Sequence, residues 1–487
     1  MKLLNDLDLE GVFLRTNRKV ESGYKEAIIH KNQNFYYEKS AIMNETNQLQ
    51  RRLKLRHVVA IGIAYMSPFA VFDTFGIASK VSSGHVPAAY IVVFIAILFT
   101  AMSYGKLVKK YPTAGSVYTY TKNILNPYLG IIVGWLTFIA YLALPMVNAL
   151  LAKIYLSSVL PEVPGWIWIV GLIVVISILN IFGVELAASL NMIVVSFQFI
   201  VVVLFIYLNV RSILKGHEHF INLNELFPSG MEFFSIFPGA ALLALSFIGF
   251  DAITTLSEET IEPKKTIPKA IIIVCSIGGI FFFTVTYFMQ SLFPDVSVFH
   301  NIEGASPQIA YTIGGNLFLS IFTAGALFSV FASGLAAQVS ASRMLYAMGR
   351  DNVLPNRFFG YLHPKFNSPV PNILFIGLLA LSALFLDLTL ATSLIDVGAF
   401  TAFSFVNICV ITNYFRSKKP RSFGFTFGNL IGPLIGLCFI IYLWSNLNFE
   451  SILFGFIWGL LGVLYLIIST GFFKKEPPKI DFEELEL

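Results

Sequence analysis

The chain has 487 residues, of which 56% are hydrophobic and 13% charged, against roughly 25% charged in a soluble domain. That excludes an ordinary soluble enzyme, and in so apolar a chain the formal charge of +5 says less than where each Lys and Arg falls; no nucleic-acid partner is expected from it. The apolar residues form continuous runs of about 20, enough to cross a hydrocarbon core of roughly 30 Å as a helix, without the alternation of a membrane barrel. The expected fold class is therefore an all-α integral membrane protein with the lipid bilayer as its solvent.

Residues 1–50 are polar, of mixed charge and lack the apolar core of a signal peptide, so they read as a disordered tail. Met43, which opens MNETNQLQRRLKLRH, is an alternative start. The membrane domain is expected over 51–472, with a short tail at 473–487. Within it, apolar runs read against Pro, Gly and charge punctuation give twelve spans. The first six fall near 58–79, 88–108, 128–157, 166–182, 186–209 and 235–257. The others fall near 270–293, 317–346, 370–386, 391–414, 426–446 and 451–472. Cys275, Cys409 and Cys438 each sit alone in an apolar run, so they are expected to be small core residues, with no disulfide, metal site or cofactor.

The connections alternate in charge. Arg51, Arg52, Lys54 and Arg56 precede the first span, Lys106, Lys109, Lys110 and Lys122 follow the second, and Lys264, Lys265 and Lys269 follow the sixth. Arg343, Arg350, Arg357 and Lys365 follow the eighth, Arg416, Lys418, Lys419 and Arg421 the tenth, and Lys474 and Lys475 the twelfth. The opposite loops carry only Lys80, Lys153, Arg211 and Lys215. The positive-inside rule then puts both termini in the cytoplasm, and an odd number of spans would spoil the pattern.

Two spans are interrupted in related ways. The first reads GIAYMSPFAVFDTFGI (62–77) with Pro68 at membrane depth, and the sixth reads ALSFIGFDAITTL (244–256) with Gly249 at its centre. Each can break its helix, freeing backbone groups that are tolerated only where they line a cavity or are buried in protein. Breaks in the first and sixth spans are spaced as they are when spans one to five and six to ten are inverted repeats, and such pairs point to a midplane binding site.

Asp251 follows the second break directly. A carboxylate at the centre of a span costs about 2.5 to 3.5 kcal/mol on insertion scales, so it is kept for a partner or a water-filled cavity. No intramembrane Lys or Arg is placed to neutralise it, which leaves a cationic ligand or a proton, or a role capping the half-helix after Gly249. An amino acid carrier needs N–H donors at the broken first span for the α-carboxylate. Pro68 has none. A missing donor and an added carboxylate together favour a substrate with ammonium groups and no carboxylate, a polyamine. Tyr65 and Tyr141 are placed to hold an ammonium on their ring faces. Asp73, one turn beyond the first break, either attracts a second ammonium or is solvated in a vestibule. Glu258 and Glu259, before EPKKTIPK, are candidates for proton coupling or are solvated or paired with Lys264 and Lys265. HEH at 217–219 has the wrong spacing for a zinc protease, and no HExxH, GxSxG or intramembrane Ser/His pairing suggests an enzyme.

Twelve spans, the two breaks and SASRMLYAMGRDNVLP (340–355) resemble the amino acid, polyamine and organocation transporters. VFDTFGI, SSGHVPAAY, SYGKLVKKYPTAGSVYTYTK, LLAKIYLSSVLPEVP, GFDAITTLSEET and MGRDNVLPNRFFGYLHPKF are similar to the putrescine importers of that family. The resemblance runs from about Arg51 to the end of the tenth span. It implies a LeuT-type fold of 5+5 inverted repeats plus two helices, with one repeat over about 57–210, the other over about 235–414 and the added helices over about 426–472. It also implies a plasma-membrane location, alternating access and putrescine uptake driven by protons. Where amino acid carriers of the family have an IGSGIF-like break, this chain has SPFAVF at 67–72, with Pro68 and Ala70 in place of the two inner glycines. Asp251 falls where related antiporters place an acidic gating residue and Leu245 where some present a Trp, while the coupling Lys that some relatives carry in the fifth span is absent.

The residues, read together with that resemblance, give the expectation of a proton-coupled importer of putrescine or a similar diamine. Asp251 binds one ammonium, Tyr141, Tyr65 and backbone near Ser67, Ser246 and Gly249 shape the site, and the carbon chain lies along Phe69 and Phe250. The rivals are an amino acid permease or exchanger of the same architecture, a polyamine sensor without net transport, and a channel.

Overall fold

The computed structural model describes residues 49–215, 236–299, 302, 305–418, 420–447 and 449–470. The N-terminal tail, the HEH at 217–219, Lys474, Lys475 and the C-terminal tail lie outside the described residues. The fold set out below is that of the unit Gln50–Leu487.

Among the described residues nine helices are long and apolar enough to cross a membrane, a further crossing is a pair bent by 41°, and two shorter apolar helices complete the set. In chain order they are span 1 (Leu55–Met66 and Ala70–Val81), span 2 (Val86–Lys110), span 3 (Pro127–Val159), span 4 (Gly165–Ile181), span 5 (Val184–Lys215) and span 6 (Ile236–Glu259). Span 7 (Pro263–Leu292), span 8 (Ala305–Arg350), span 9 (Val370–Leu384), span 10 (Leu388–Arg416), span 11 (Phe423–Ser445) and span 12 (Phe449–Ser469) follow. These are the twelve segments expected from the apolar runs. The described residues contain no strand, only an isolated bridge between Leu53 and Thr260.

Local chemistry starts several of these helices. Asn126 accepts hydrogen bonds from the N–H groups of Tyr128 and Leu129 and is followed by Pro127 at the first helical position of span 3, which suits a ring with no N–H to satisfy. Asp387 accepts from Leu390 N–H at the start of span 10. Between spans 2 and 3 a short connecting helix, Ser116–Ile124, buries nearly every residue.

The packing pattern carries the inverted repeat. Span 2 packs on span 7, span 3 on span 10 and span 8 on span 5. Exchanging spans 1–5 for 6–10 returns the first contact to itself and turns the second into the third. The same exchange turns the contact of span 1 with span 7 into that of span 6 with span 2, and both are present. The bundle is the LeuT-type fold.

Lipid tails are as apolar as Leu, so the helices are held by close packing and buried polar pairs rather than by hydrophobic burial. Asn148 of span 3 donates to Ser333 of span 8 at 3.1 Å, Asn180 of span 4 to Gln338 of span 8 at 2.8 Å, and Ser103 of span 2 to Asn407 of span 10 at 2.8 Å. Each contributes roughly 0.6 kcal/mol by the measured average for such bonds. Cys275 and Cys409 are buried as expected; Cys438 corrects that expectation, because it lies on the exposed face of span 11.

Candidate functional site

The break in span 1 is sharp. The first half-helix ends at Met66, Ser67 adopts φ 54°, and the second half-helix starts at Ala70. A non-glycine residue in that region costs on the order of 1 to 3 kcal/mol, and Ser67 is held there by a 2.7 Å hydrogen bond between its hydroxyl and that of Ser329 on span 8. Pro68 brings no N–H to this turn, and Ala70 spends its own on the Ser67 carbonyl at 2.9 Å. The Tyr65 carbonyl accepts from Ser333 Oγ at 3.3 Å.

Span 6 breaks where Gly249 was expected to break it. Ala244–Phe247 is one tight helical turn, Ile248 is extended, Gly249 has φ 125°, and Ala252–Glu259 resumes as a tight helix. Two requirements select glycine at 249. Its φ is one that a side chain rarely tolerates, and an added Cβ would lie 2.5 Å from Cδ1 of Tyr65 and 2.9 Å from the Met66 nitrogen. The two breaks therefore rest directly on one another.

Asp251 lies beside this junction and is 2% exposed. Its Oδ2 accepts from the Tyr141 hydroxyl at 2.9 Å and its Oδ1 from Gly249 N–H at 3.2 Å. It holds the N-cap position of the second half-helix without a side-chain capping hydrogen bond to it, its main-chain contact being with Gly249 N–H. Among the described residues no Lys, Arg or His forms an ion pair with it. Tyr65 and Tyr141 meet edge to face at 6.3 Å, and the buried hydroxyls of Tyr65 and Tyr104 have no hydrogen-bond partner among the described residues.

The other expected site residues divide into two groups. Ser246 is tied to span 2, its hydroxyl 3.1 Å from that of Tyr90. Phe250 packs away from Tyr65, between Tyr104 at 5.8 Å and Phe403 of span 10 at 5.2 Å. Phe69 enters an aromatic cluster with Phe72 at 5.1 Å and Phe322 at 5.3 Å, and Phe205 joins it through Phe72. Asp73, one turn beyond Phe69, is exposed and accepts from Tyr155 at 2.6 Å.

Glu258 and Glu259 do not pair with Lys264 and Lys265. Glu259 makes a two-pronged bond to the fully buried Arg343, at 2.8 and 3.0 Å. Glu258 pairs with Arg350 at 2.7 Å and accepts from Ala114 N–H at 2.9 Å. The last turns of span 8 bring both arginines over the end of span 6, whereas Lys265 turns to Glu262. Main-chain bonds from Arg52 and Leu53 to the Glu259 carbonyl, and from Ile261 to the Leu53 carbonyl, tie the entry of span 1 to the same place. Nearby, Lys122 donates to Asp351 at 3.2 Å inside the fold; burial holds its ammonium below the ordinary lysine range, with the Asp351 carboxylate opposing that shift.

The comparisons follow the same outline. The amino acid permease profile matches residues 57–419. Over 437 residues the chain is 39% identical to the low-affinity putrescine importer PlaP of Escherichia coli K12, covering 89% of this chain and 97% of that protein.

The chain belongs to the amino acid permease family.

More distant members are the branched-chain amino acid permease BcaP of Bacillus subtilis, 28% identical over 86% of this chain and 93% of that protein, and the vacuolar cationic amino acid transporter 4 of Arabidopsis thaliana. The latter is 28% identical over 75% of this chain and 63% of that protein. As a permease of this family the chain is a multi-pass plasma-membrane transporter and not an enzyme. The region matched by the profile runs from the first turn of span 1 to just past the end of span 10 and includes both breaks.

Sequence reasoning missed several residues of this permease. Arg343 reads in sequence as one more cation after span 8, and only folding buries it against Glu259. Gln198, within 3.4 Å of Ser329, and Tyr104 carry no signal that sets them apart from other spans' polar residues. Asp396 did carry one, a lone acid inside the apolar run of span 10. It is partly buried, and its shielded Oδ1 has no hydrogen-bond partner among the described residues.

Proposed function

We propose that this permease imports putrescine or a similar diamine, by proton symport with alternating access. The observation that carries the reading is Asp251, a buried carboxylate at the junction of the two breaks with no cationic side chain beside it. An ammonium arriving there finds a full negative charge, the Tyr141 hydroxyl and the ring of Tyr65. The turn at Ser67–Ala70 offers few free N–H donors, which suits a substrate without a carboxylate. The putrescine importer among its relatives, matched nearly end to end, supports the same substrate class.

Substrate and proton would compete for Asp251, so that protonation on one side of the membrane and release on the other links the two flows. Glu258 and Glu259, each engaged by an arginine, are less suited to carry the proton than Asp251. On this reading both termini and the Arg343–Glu259 pair face the cytoplasm, which the positive-inside rule supports.

The test is uptake of labelled putrescine into proteoliposomes, with and without an inward proton gradient, for the parent and Asp251→Asn. The expected result is gradient-driven accumulation by the parent and a loss of about 100-fold or more in the variant, as for a lost charge-assisted contact of roughly 3 kcal/mol. Equal uptake by both proteins would remove Asp251 from the site. Uptake unaffected by collapse of the gradient would remove the proton. A neutral amino acid substrate, the reading suggested by the branched-chain permease, would be revealed by competition from unlabelled leucine or valine.

A further inference from the structure

At the positively charged end of the bundle, the ends of spans 2 and 10, the start of span 11 and the end of the connecting helix at Asn123 and Ile124 line an open cavity of about 540 Å³. Three cations line it, Lys106, Lys110 and Arg416, with no Asp or Glu among the lining residues. Each is directed to a neutral acceptor: Lys106 to the Gly428 carbonyl, Lys110 to Asn413 Oδ1 at 3.4 Å, and Arg416 to the Ile124 carbonyl. None makes an ion pair among the described residues. Lys110 and Arg416 are exposed and Lys106 is half-buried, so water screens part of the repulsion among the three charges, and an anion between them would remove the rest.

The depth and the walls choose the anion. The cations stand on the last turns of two spans, at the height where lipid headgroups meet water, and the wall between them includes the apolar Leu107, Val410 and Phe425. A free phosphate has no use for an apolar wall, whereas a phospholipid presents a charged headgroup followed by glycerol and acyl carbon. Basic pockets between spans at the cytoplasmic surface have this character. We propose that the cavity is a binding site for the phosphate headgroup of an anionic membrane lipid, wedged between spans 2, 10 and 11.

The test uses the full chain in phosphatidylcholine nanodiscs with increasing phosphatidylglycerol, bound lipid being counted by native mass spectrometry. Lys106→Gln/Lys110→Gln/Arg416→Gln is expected to lower phosphatidylglycerol retention on the order of a hundredfold, from roughly fivefold per cation at a membrane surface. Lys110→Gln alone, which removes one exposed cation and keeps the fold, is expected to lower it about fivefold. Lys264→Gln/Lys265→Gln/Lys269→Gln removes as much charge elsewhere and should leave retention unchanged. Retention by the triple cavity variant equal to the parent's would overturn the proposal. So would an equal loss in the control, which would indicate surface attraction alone, or complete displacement of the lipid by millimolar inorganic phosphate, which would indicate a free-phosphate site.

Discussion

The two sides of the Asp251 site are closed by opposite kinds of chemistry. Beyond Ser67, toward Asp73, the closure is a cluster of rings, Phe69, Phe72, Phe205 and Phe322. On the other side it is ionic and main-chain: Glu259 with Arg343, Glu258 with Arg350, and the backbone bridge from Leu53 to Thr260. Rings part by sliding and leave nothing unsatisfied but area. An arginine and a carboxylate buried together part only when each finds water or another partner, because a lone buried charge is costly. On the alternating-access reading proposed above, the ionic side would act as a two-state latch and the aromatic side as a graded one.

Breaking the ionic side should have the largest effect on stability. Arg343→Leu strands Glu259 and is expected to cost about 3 to 5 kcal/mol, measured by thermal unfolding in detergent, while Arg343→Leu/Glu259→Leu should recover most of it. If the single and double variants unfold alike, the pair is not the latch. Gly249→Ala acts where the two sides meet: backbone strain of roughly 1 to 3 kcal/mol, plus contact with Tyr65, should abolish uptake while leaving a folded protein by circular dichroism. On the aromatic side, Phe322→Leu is expected to cost less than about 1.5 kcal/mol and to retain uptake, and a loss as large as that of Arg343→Leu would erase the contrast between the two closures. Asp73→Asn should be mildest. The exposed Asp73 is held by Tyr155, and the amide still accepts that bond, so only attraction of the incoming cation is lost. The expected change is a few-fold rise in KM at low salt with kcat unchanged, fading as salt rises.

Much of this was legible in the chain. Pro68 and Gly249 marked both breaks because each has a backbone property no other residue shares: Pro lacks an N–H, and Gly accepts φ 125°. Asp251 stood out because a bare carboxylate in an apolar run needs a reason. The partners of Glu258 and Glu259 were not legible, since sequence proximity favoured Lys264 and Lys265 and the arginines lie 92 and 84 residues away. Phe250 was expected as an apolar wall for the carbon chain; its ring partners, Tyr104 of span 2 and Phe403 of span 10, come from distant parts of the chain and were not legible.

By itself the sequence determined the solvent, the twelve crossings and the two interruptions, because these depend on the length of apolar runs and on backbone chemistry that act locally. Tertiary structure decided that Gly249 rests on Tyr65 and Met66, that Tyr141 reaches Asp251, and that arginines of span 8 take the glutamates of span 6. Those are contacts between residues far apart in the chain, fixed by how twelve similar apolar helices choose their neighbours. That choice is set by side-chain shape and a few buried polar pairs, and periodicity along one helix does not encode it.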